Sequence, residues 1–146
     1  MNCPKCKIPM LVVEYDRIEL DFCVRCEGTW FDRGELALLF ADSETEGYGL
    51  QPEQIAALPD AQTDEERRRC PACGKKMRKV LLGPERGVLI DACPQGDGLW
   101  FDDSEVGQLA REISEAGAGL SGRALAFMGR MFQEKEEPEP AEGETE

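Results

Sequence analysis

Hydrophobic and polar positions form two hairpin-sized blocks, one at the start of the chain and one in its second half. In the first block, the β-branched, apolar run at 10–15 precedes residues 17–22, which alternate strictly between polar and apolar. In the second block, the corresponding runs are 76–82 and 87–92, joined by a cluster of turn-forming residues. Such short runs are typical of half-buried β-strands. The pattern predicts two antiparallel hairpins, with a turn at Asp16 in the first.

Each hairpin is followed by a Trp-Phe pair and then by a segment with helical character. Asp32 and Glu35 have the spacing of a capping box and predict a short helix over 35–41. The same spacing recurs within 102–105, ahead of a predicted helix over 106–113. Because the repeat includes the helix as well as the hairpin, we interpret it as a duplicated structural unit.

The segments outside the two units differ from them in composition. The connecting segment is acidic and glycine-bearing, and it predicts a short helix over 52–58 and a helical turn over 64–69. After the second unit, a glycine-rich break leads to apolar residues at helical spacing over 120–131, which predict an amphipathic helix. The Glu- and Pro-rich end of the chain predicts a disordered tail.

The cysteine content explains how such small units would be stable. The chain has 146 residues, and all seven cysteines lie inside the two units. Units of this size usually need a metal or disulfides for stability. No secretory signal precedes Cys3, and no apolar run approaches the ~20 residues that span a bilayer. We therefore expect a reducing, cytoplasmic setting, in which paired cysteines bind metal.

The first unit contains two Cys-x-x-Cys hooks, formed by Cys3 and Cys6 and by Cys23 and Cys26. The predicted hairpin between the hooks brings them face to face. Double hooks at this spacing are typical of a closed, tetrahedral structural zinc site. Iron bound by the same four thiolates is the alternative, because the sequence does not separate the two metals.

The second unit has three cysteines, Cys70, Cys73 and Cys93, and Gly96 occupies the place of the fourth. The chain has no histidine, so another residue type must complete this site. Asp97 follows directly, and a carboxylate is an established zinc ligand. We favour Asp97 as the fourth ligand; a water ligand, a lost site and a turn-capping role for Asp97 are the alternatives. A Cys₃Asp site is expected to hold zinc less tightly than a Cys₄ site.

These motifs resemble the transcription-factor zinc-finger family, a TFIIB-type zinc ribbon of bacterial and archaeal proteins. Residues 3–36 are similar to its pattern of Cys-Pro-x-Cys, a hairpin, and Cys-x-x-Cys-x-Gly-x-Trp-Phe-Asp nearly throughout, and 70–106 are similar more loosely. In some members a histidine stands where Asp97 stands here, which supports Asp97 as a ligand. The resemblance implies a zinc-ribbon fold. The family name suggests transcription, although fold similarity does not by itself define function.

The net charge of −13 bears on the choice of partner. A polyanion is a poor general binder of nucleic acid, whose affinity comes largely from Lys and Arg. One basic cluster surrounds the first hook of the second unit, and we interpret it as local compensation for thiolate charge and solvated strand faces. It consists of Arg67, Arg68, Arg69, Lys75, Lys76, Arg78 and Lys79.

The predicted fold class is a small, metal-stabilised, β-rich protein with tandem zinc ribbons. Each ribbon is followed by a short α-helix, and a C-terminal helix and a disordered acidic tail complete the chain. We expect two Zn²⁺ per chain. The predicted units are ribbon 1, an acidic linker, ribbon 2, a glycine-rich break with an amphipathic helix, and the tail, at 1–41, 42–69, 70–113, 114–133 and 134–146.

The predicted function is that of a cytoplasmic, zinc-binding adaptor or regulator that contacts other proteins, with no membrane partner. The ribbon surfaces and the C-terminal amphipathic stretch are the expected contact elements. The runner-up is a transcription regulator that binds nucleic acid through the basic cluster. Thiol redox chemistry and zinc-dependent catalysis are more remote alternatives, and we expect no enzymatic activity, because the chain offers no histidine base and no βαβ setting for a reactive Cys-x-x-Cys.

Overall fold

The fold is built on an antiparallel sheet of six strands. The strand order is β1-β2-β3-β6-β5-β4, so the two halves of the chain meet at the centre of the sheet. The strands are β1 (Leu11–Tyr15), β2 (Ile18–Phe22), β3 (Thr29–Asp32), β4 (Arg78–Leu82), β5 (Val88–Ala92) and β6 (Gly98–Phe101). The helices are α1 (Glu35–Leu39), α2 (Pro52–Ala56) and α3 (Glu105–Glu115). The computed structural model describes residues 1–15, 17–40, 50–83, 85–103 and 105–115.

The predicted fold class is confirmed for the part of the chain that the structure describes. Both predicted hairpins are present, and α1 and α3 follow them as expected. The predicted turn at Asp16, the C-terminal helix and the tail lie outside the described residues. None of the helices within the described ranges has the length and apolar character that crossing a membrane requires.

The structure adds a third strand to each ribbon. The Trp-Phe pairs lie within β3 and β6, and these two strands pair with each other over four residues. Trp30 lies directly opposite Trp100 at the centre of this seam. A Cβ atom at Gly28 would overlap the ring of Trp100, and one at Gly98 would overlap the ring of Trp30. The close approach of the two ribbons therefore requires glycine at both positions.

The strands of the two hairpins pair in the same register, so each strand residue of one hairpin has a counterpart in the other. Val12 pairs with Asp21 in ribbon 1, and Lys79 pairs with Asp91 in ribbon 2. Both hairpins consist of two five-residue strands. The sheet therefore has an approximate twofold relation about the β3–β6 seam, with β1 and β4 at its two outer edges.

The helices cover one face of the sheet. Leu36 of α1, Ile55 of α2 and Leu109 of α3 are buried in one apolar cluster. Residues of the strands β2 to β6 belong to the same cluster, and β1 packs against it. Phe31 and Phe101 join this cluster and meet edge to face, with ring centroids 5.4 Å apart. Because successive side chains of a strand point to opposite faces, the neighbouring tryptophans lie on the other face.

The predicted capping box of α1 is wrong. The helix begins after Gly34, which has a left-handed φ of 83°, and no side chain caps it. The Asp32 carboxylate instead accepts a hydrogen bond from Trp30 Nε1 at 2.9 Å. Glu35 accepts one from the backbone N–H of Glu19 at 3.2 Å. Both side chains thus accept hydrogen bonds from residues of the sheet rather than from the helix terminus.

The second predicted capping box is half present. Glu105 Oε1 accepts a hydrogen bond from the backbone N–H of Asp102 at 2.8 Å, as a capping box requires. The carboxylate of Asp102, however, accepts from Trp100 Nε1 at 2.9 Å. Each tryptophan is therefore oriented by the aspartate two residues later.

The segment before ribbon 2 contains one of its two predicted helical pieces. The predicted helix over 52–58 is present as α2. The predicted helical turn over 64–69 is wrong, since 61–68 contain no helix and run along the outer edge of β4. The backbone N–H of Ala61 donates to the carbonyl of Lys79 at 2.7 Å, and tertiary contacts of this kind override local helix propensity.

Candidate metal centres

The first centre consists of the four thiols of ribbon 1. Cys3 and Cys23 are buried, and Cys6 and Cys26 are half-buried. All four Sγ atoms lie within 4.8 Å of one another, and Cys3 Sγ is 3.7 Å from Cys26 Sγ. A tetrahedral zinc ion with Zn–S bonds of about 2.3 Å requires sulfur atoms about 3.8 Å apart. The four thiols therefore fit a closed zinc site.

The backbone turns of the hooks also suit a bound metal. The amides of Lys5 and Cys6 donate to Cys3 Sγ at 3.3 and 3.2 Å. In ribbon 2, the amide of Ala72 donates to Cys70 Sγ at 3.3 Å. Hydrogen bonds from backbone N–H groups stabilise negative charge on sulfur. The hooks are therefore arranged for thiolates rather than for neutral thiols.

Burial without a metal has the opposite effect on most of these thiols. It raises the pKa of Cys70 to about 12, and it raises the pKa values of Cys3, Cys26 and Cys93 as well. Burial also acts to raise the pKa of Cys23, but hydrogen bonds, led by that from the Cys26 amide, together lower it to about 7. A metal must therefore displace protons to bind, and its affinity decreases as the pH falls.

The second centre brings Cys70, Cys73 and Cys93 together with Asp97. Their ligand atoms all lie within 4.8 Å of one another. Cys73 Sγ is 3.6 Å from Cys93 Sγ, and Cys93 Sγ is 3.6 Å from Asp97 Oδ2. For Zn–S and Zn–O bonds of about 2.3 and 2.1 Å, a tetrahedral ion requires a sulfur–oxygen distance of about 3.6 Å. The Asp97 carboxylate thus fits the fourth corner of a tetrahedral site.

The exchange of cysteine for aspartate follows from a change in the backbone turn. In ribbon 1, the amide of Glu27 closes the hook on the carbonyl of Cys23 at 2.8 Å. In ribbon 2, the amide of Gly96 closes it on the carbonyl of Cys93 at 3.0 Å, one residue earlier. Gly96 has a φ of 81°, a conformation that other residues rarely adopt. The tighter turn moves the ligand position to Asp97.

The two centres contact the same group of buried residues. Ligands of both belong to one buried cluster on the face of the sheet opposite the helices. Its buried members are Cys3, Met10, Cys23, Trp30, Cys70, Met77, Cys93 and Trp100. The tryptophans of the β3–β6 seam therefore pack beside both metal centres.

Two four-ligand centres held by hairpins of one antiparallel sheet define a tandem zinc-ribbon protein. Each centre has the ligands and spacing to bind one zinc ion. The family model described as Transcription factor zinc-finger matches residues 2–42 and 69–112, and the chain belongs to this family. The resemblance noted in the sequence is thereby confirmed. Searches of curated proteins and of solved structures found no match.

The structure also contains a buried charge cluster that the sequence did not predict. Lys79 Nζ lies 3.0 Å from Asp91 Oδ1 and 3.0 Å from Glu65 Oε1. Lys79 and Asp91 are both buried, and Asp91 Oδ2 has no hydrogen-bond partner among the described residues. Burial raises the pKa of Asp91, although Lys79 acts to lower it. Lysine is almost never fully buried unless it is paired with an acidic residue. The partners of Lys79 are distant in the sequence, so the sequence gave no signal that this lysine is buried.

Proposed function

We propose that this protein is a zinc-stabilised adaptor that binds other proteins, with the outer edge of β1 as its docking site. The proposal rests on a difference between the two outer edges of the sheet. The edge of β4 is covered by residues 60–69 of the same chain. Among the residues that the structure describes, β2 is the sole strand paired with β1.

The outer edge of β4, here called the covered edge, indicates what kind of segment the outer edge of β1, here called the open edge, can accept. At β4, the amide of Ala61 donates to the carbonyl of Lys79, and the side chain of Arg78 donates to Asp60 Oδ1 at 2.7 Å. Lys79 Nζ also lies 3.0 Å from Glu65 Oε1 of this segment. The occupant of this edge is thus a non-helical segment held by backbone and polar contacts.

In ribbon 1, the counterparts of Arg78 and Lys79 are aliphatic and exposed. They are Leu11 and Val12, with 56% and 63% of their surface accessible. By the shared register, the backbone N–H and C=O of Val12 face the open edge. Unpaired edge groups beside apolar side chains are a template for an added strand. The open edge therefore favours an extended segment of another protein.

Charge defines the partner further. Glu14 and Glu19 are exposed and lie directly opposite each other on β1 and β2. Like charges in this position repel. A partner segment with a Lys or Arg residue would relieve the repulsion, and an apolar residue of that segment would cover Val12. A second copy of β1 would instead bring four glutamates together, so we commit to a basic and apolar segment of a different protein.

The charge of the loaded centres disfavours nucleic acid as the partner. Each zinc ion with four anionic ligands carries a net charge of roughly −2. These charges offset most of the exposed basic residues on the hooks, and Arg78 and Lys79 of the basic cluster are paired with acidic residues. The exposed basic residues of the hooks are Lys5, Lys7, Arg25, Arg69, Lys75 and Lys76.

A structural role for the metals and a reducing compartment complete the proposal. Four protein ligands at each centre leave no open position of the kind that a catalytic zinc ion keeps. This supports a role without enzymatic activity. The cysteines are free thiols, which suits the cytoplasm, where thiols stay reduced.

The test is selection of short random peptides, displayed on phage, against the full-length zinc-loaded protein. We expect enriched peptides to alternate apolar residues with Lys or Arg. Val12→Lys should weaken their binding by about tenfold or more, because a charge on an edge opposes strand addition. The fold should accept this lysine, since Lys79 occupies the equivalent position opposite Asp91. Val24→Lys is the matched control, because Val24 is also exposed but lies in a hook.

The remaining outcomes would contradict the proposal. These are an absence of enriched peptides, peptides that bind the Val12→Lys variant as well as the unmodified protein, and equal losses for both lysine variants. Salt-dependent binding of generic duplex DNA or RNA would favour the nucleic-acid alternative. A dimer that Val12→Lys dissociates would identify a second copy as the occupant.

A further inference from the structure

The hook that carries Asp97 is held in place by a residue of the other ribbon. Arg33 follows β3 in ribbon 1, and its backbone N–H donates to the carbonyl of Asp97 at 3.0 Å. Its side chain reaches the same hook, where Nη1 donates to the carbonyl of Gly96 at 3.3 Å. Two successive carbonyls of the altered hook therefore accept hydrogen bonds from one residue outside it.

The backbone geometry at Gly96 explains how the guanidinium can approach. A Cβ atom at this position would lie 2.7 Å from Arg33 Nη1, closer than real Cβ atoms come. The left-handed turn and the missing side chain together leave room for Arg33. On its solvent side, Arg33 Nη2 lies 3.6 Å from Glu53 Oε2 of α2. The arginine thus bridges the hook of ribbon 2 to elements outside that ribbon.

The seam holds the same hook from its other end. Gly98 pairs with Asp32 across the β3–β6 seam, and its carbonyl accepts from the amide of Cys93 at 3.1 Å. Asp97 is thus held through its own carbonyl by Arg33 and through its neighbour Gly98 by the pairing with Asp32. The position of its carboxylate therefore depends on two residues of ribbon 1 as well as on its own hook.

We propose that Arg33 is a positioning residue for the second metal centre, so that ribbon 1 helps to set the zinc affinity of ribbon 2. Outer contacts that orient a metal ligand commonly change affinity by 10–100-fold. A carboxylate ligand on a glycine-containing turn depends on such orientation more than a thiolate in a regular hook does.

The test is titration of the full-length, metal-free protein with Co²⁺ as a spectroscopic probe, followed by competition with Zn²⁺. A centre with four thiolates and a centre with three thiolates and a carboxylate differ in their thiolate-to-cobalt absorption. We expect Arg33→Ala to weaken metal binding at the second centre by about tenfold, with less than a twofold change at the first. Arg33→Lys should restore part of the affinity, because it keeps a cationic donor.

Arg111→Ala is the matched control, since it removes the same charge from an exposed position on α3. It should leave both affinities unchanged. Equal losses at both centres in Arg33→Ala would indicate a general loss of stability and would overturn the proposal. Unchanged affinity at the second centre, or an equal effect of Arg111→Ala, would overturn it as well.

Discussion

At the scale of single residues, the second centre depends on the conformation of Gly96. Its φ of 81° shortens the turn of the hook, and the next residue, Asp97, brings its carboxylate to the three thiols. A cysteine at 96 would have to adopt this left-handed conformation and would also approach Arg33. Gly96 and Asp97 therefore belong to one structural difference between the hooks of the two ribbons, rather than to two separate substitutions.

A pair of glycine-to-alanine substitutions tests this interpretation. Gly96→Ala should destabilise the zinc-loaded protein by about 1–2 kcal/mol, because an L-residue is strained in the left-handed region. Gly107→Ala should stabilise it by about 0.5–1 kcal/mol, since Gly107 lies inside α3 with open space around it. Urea unfolding at a constant excess of zinc measures both. A neutral or stabilising Gly96→Ala would contradict the proposed turn.

At the scale of elements, α3 begins at a carboxyl group with an altered pKa. Burial raises the pKa of Glu105 to about 7, and nearby Asp102 and Asp91 add to the effect, although a hydrogen bond from the Asp102 amide opposes it. The folded state then holds this proton more tightly than the unfolded chain does. The stability that it contributes is fully present below the ordinary pKa and is lost as the pH rises through about 7.

Replacing this carboxyl group should therefore change the pH dependence of stability. Glu105→Gln keeps an acceptor for the Asp102 amide but cannot ionise. We expect it to be about 1 kcal/mol more stable than the unmodified protein at pH 8, a value reduced for partial solvent exposure, with the difference shrinking toward pH 5. Thermal unfolding of both proteins across this range, in matched zinc buffers, gives the difference. A constant difference between them would rule out titration of Glu105 as its origin.

The elements that the sequence predicted correctly are those with local signals. The hairpins follow from short apolar runs, and the ligand hooks follow from cysteine spacing. Strands β3 and β6 have four residues each and pair across a large sequence separation, so no local period marks them. The helical turn predicted over 64–69 was wrong because contacts with β4 decide that segment. Asp32 failed as a cap because Trp30 uses its carboxylate.

At the scale of the whole molecule, the seam turns two small ribbons into one sheet with a shared metal-bearing cluster. Trp30 and Trp100 meet at the centre of the sheet, and ligands of both centres pack around them. Helices cover the opposite face. The two outer edges, by contrast, differ: residues 60–69 cover β4, whereas among the described residues β1 pairs with no strand except β2, and β1 is the proposed docking edge. The two ribbons thus have equivalent interiors, and their outer edges differ.

The most direct test of this account is the number of zinc ions bound per chain, measured by native mass spectrometry. Full-length protein purified without added zinc should carry two. Asp97→Ala should carry one, because its first centre keeps all four thiols, and Asp64→Ala, which alters an exposed aspartate outside both centres, should carry two. One zinc ion in the unmodified protein, or two in Asp97→Ala, would contradict a second centre completed by Asp97.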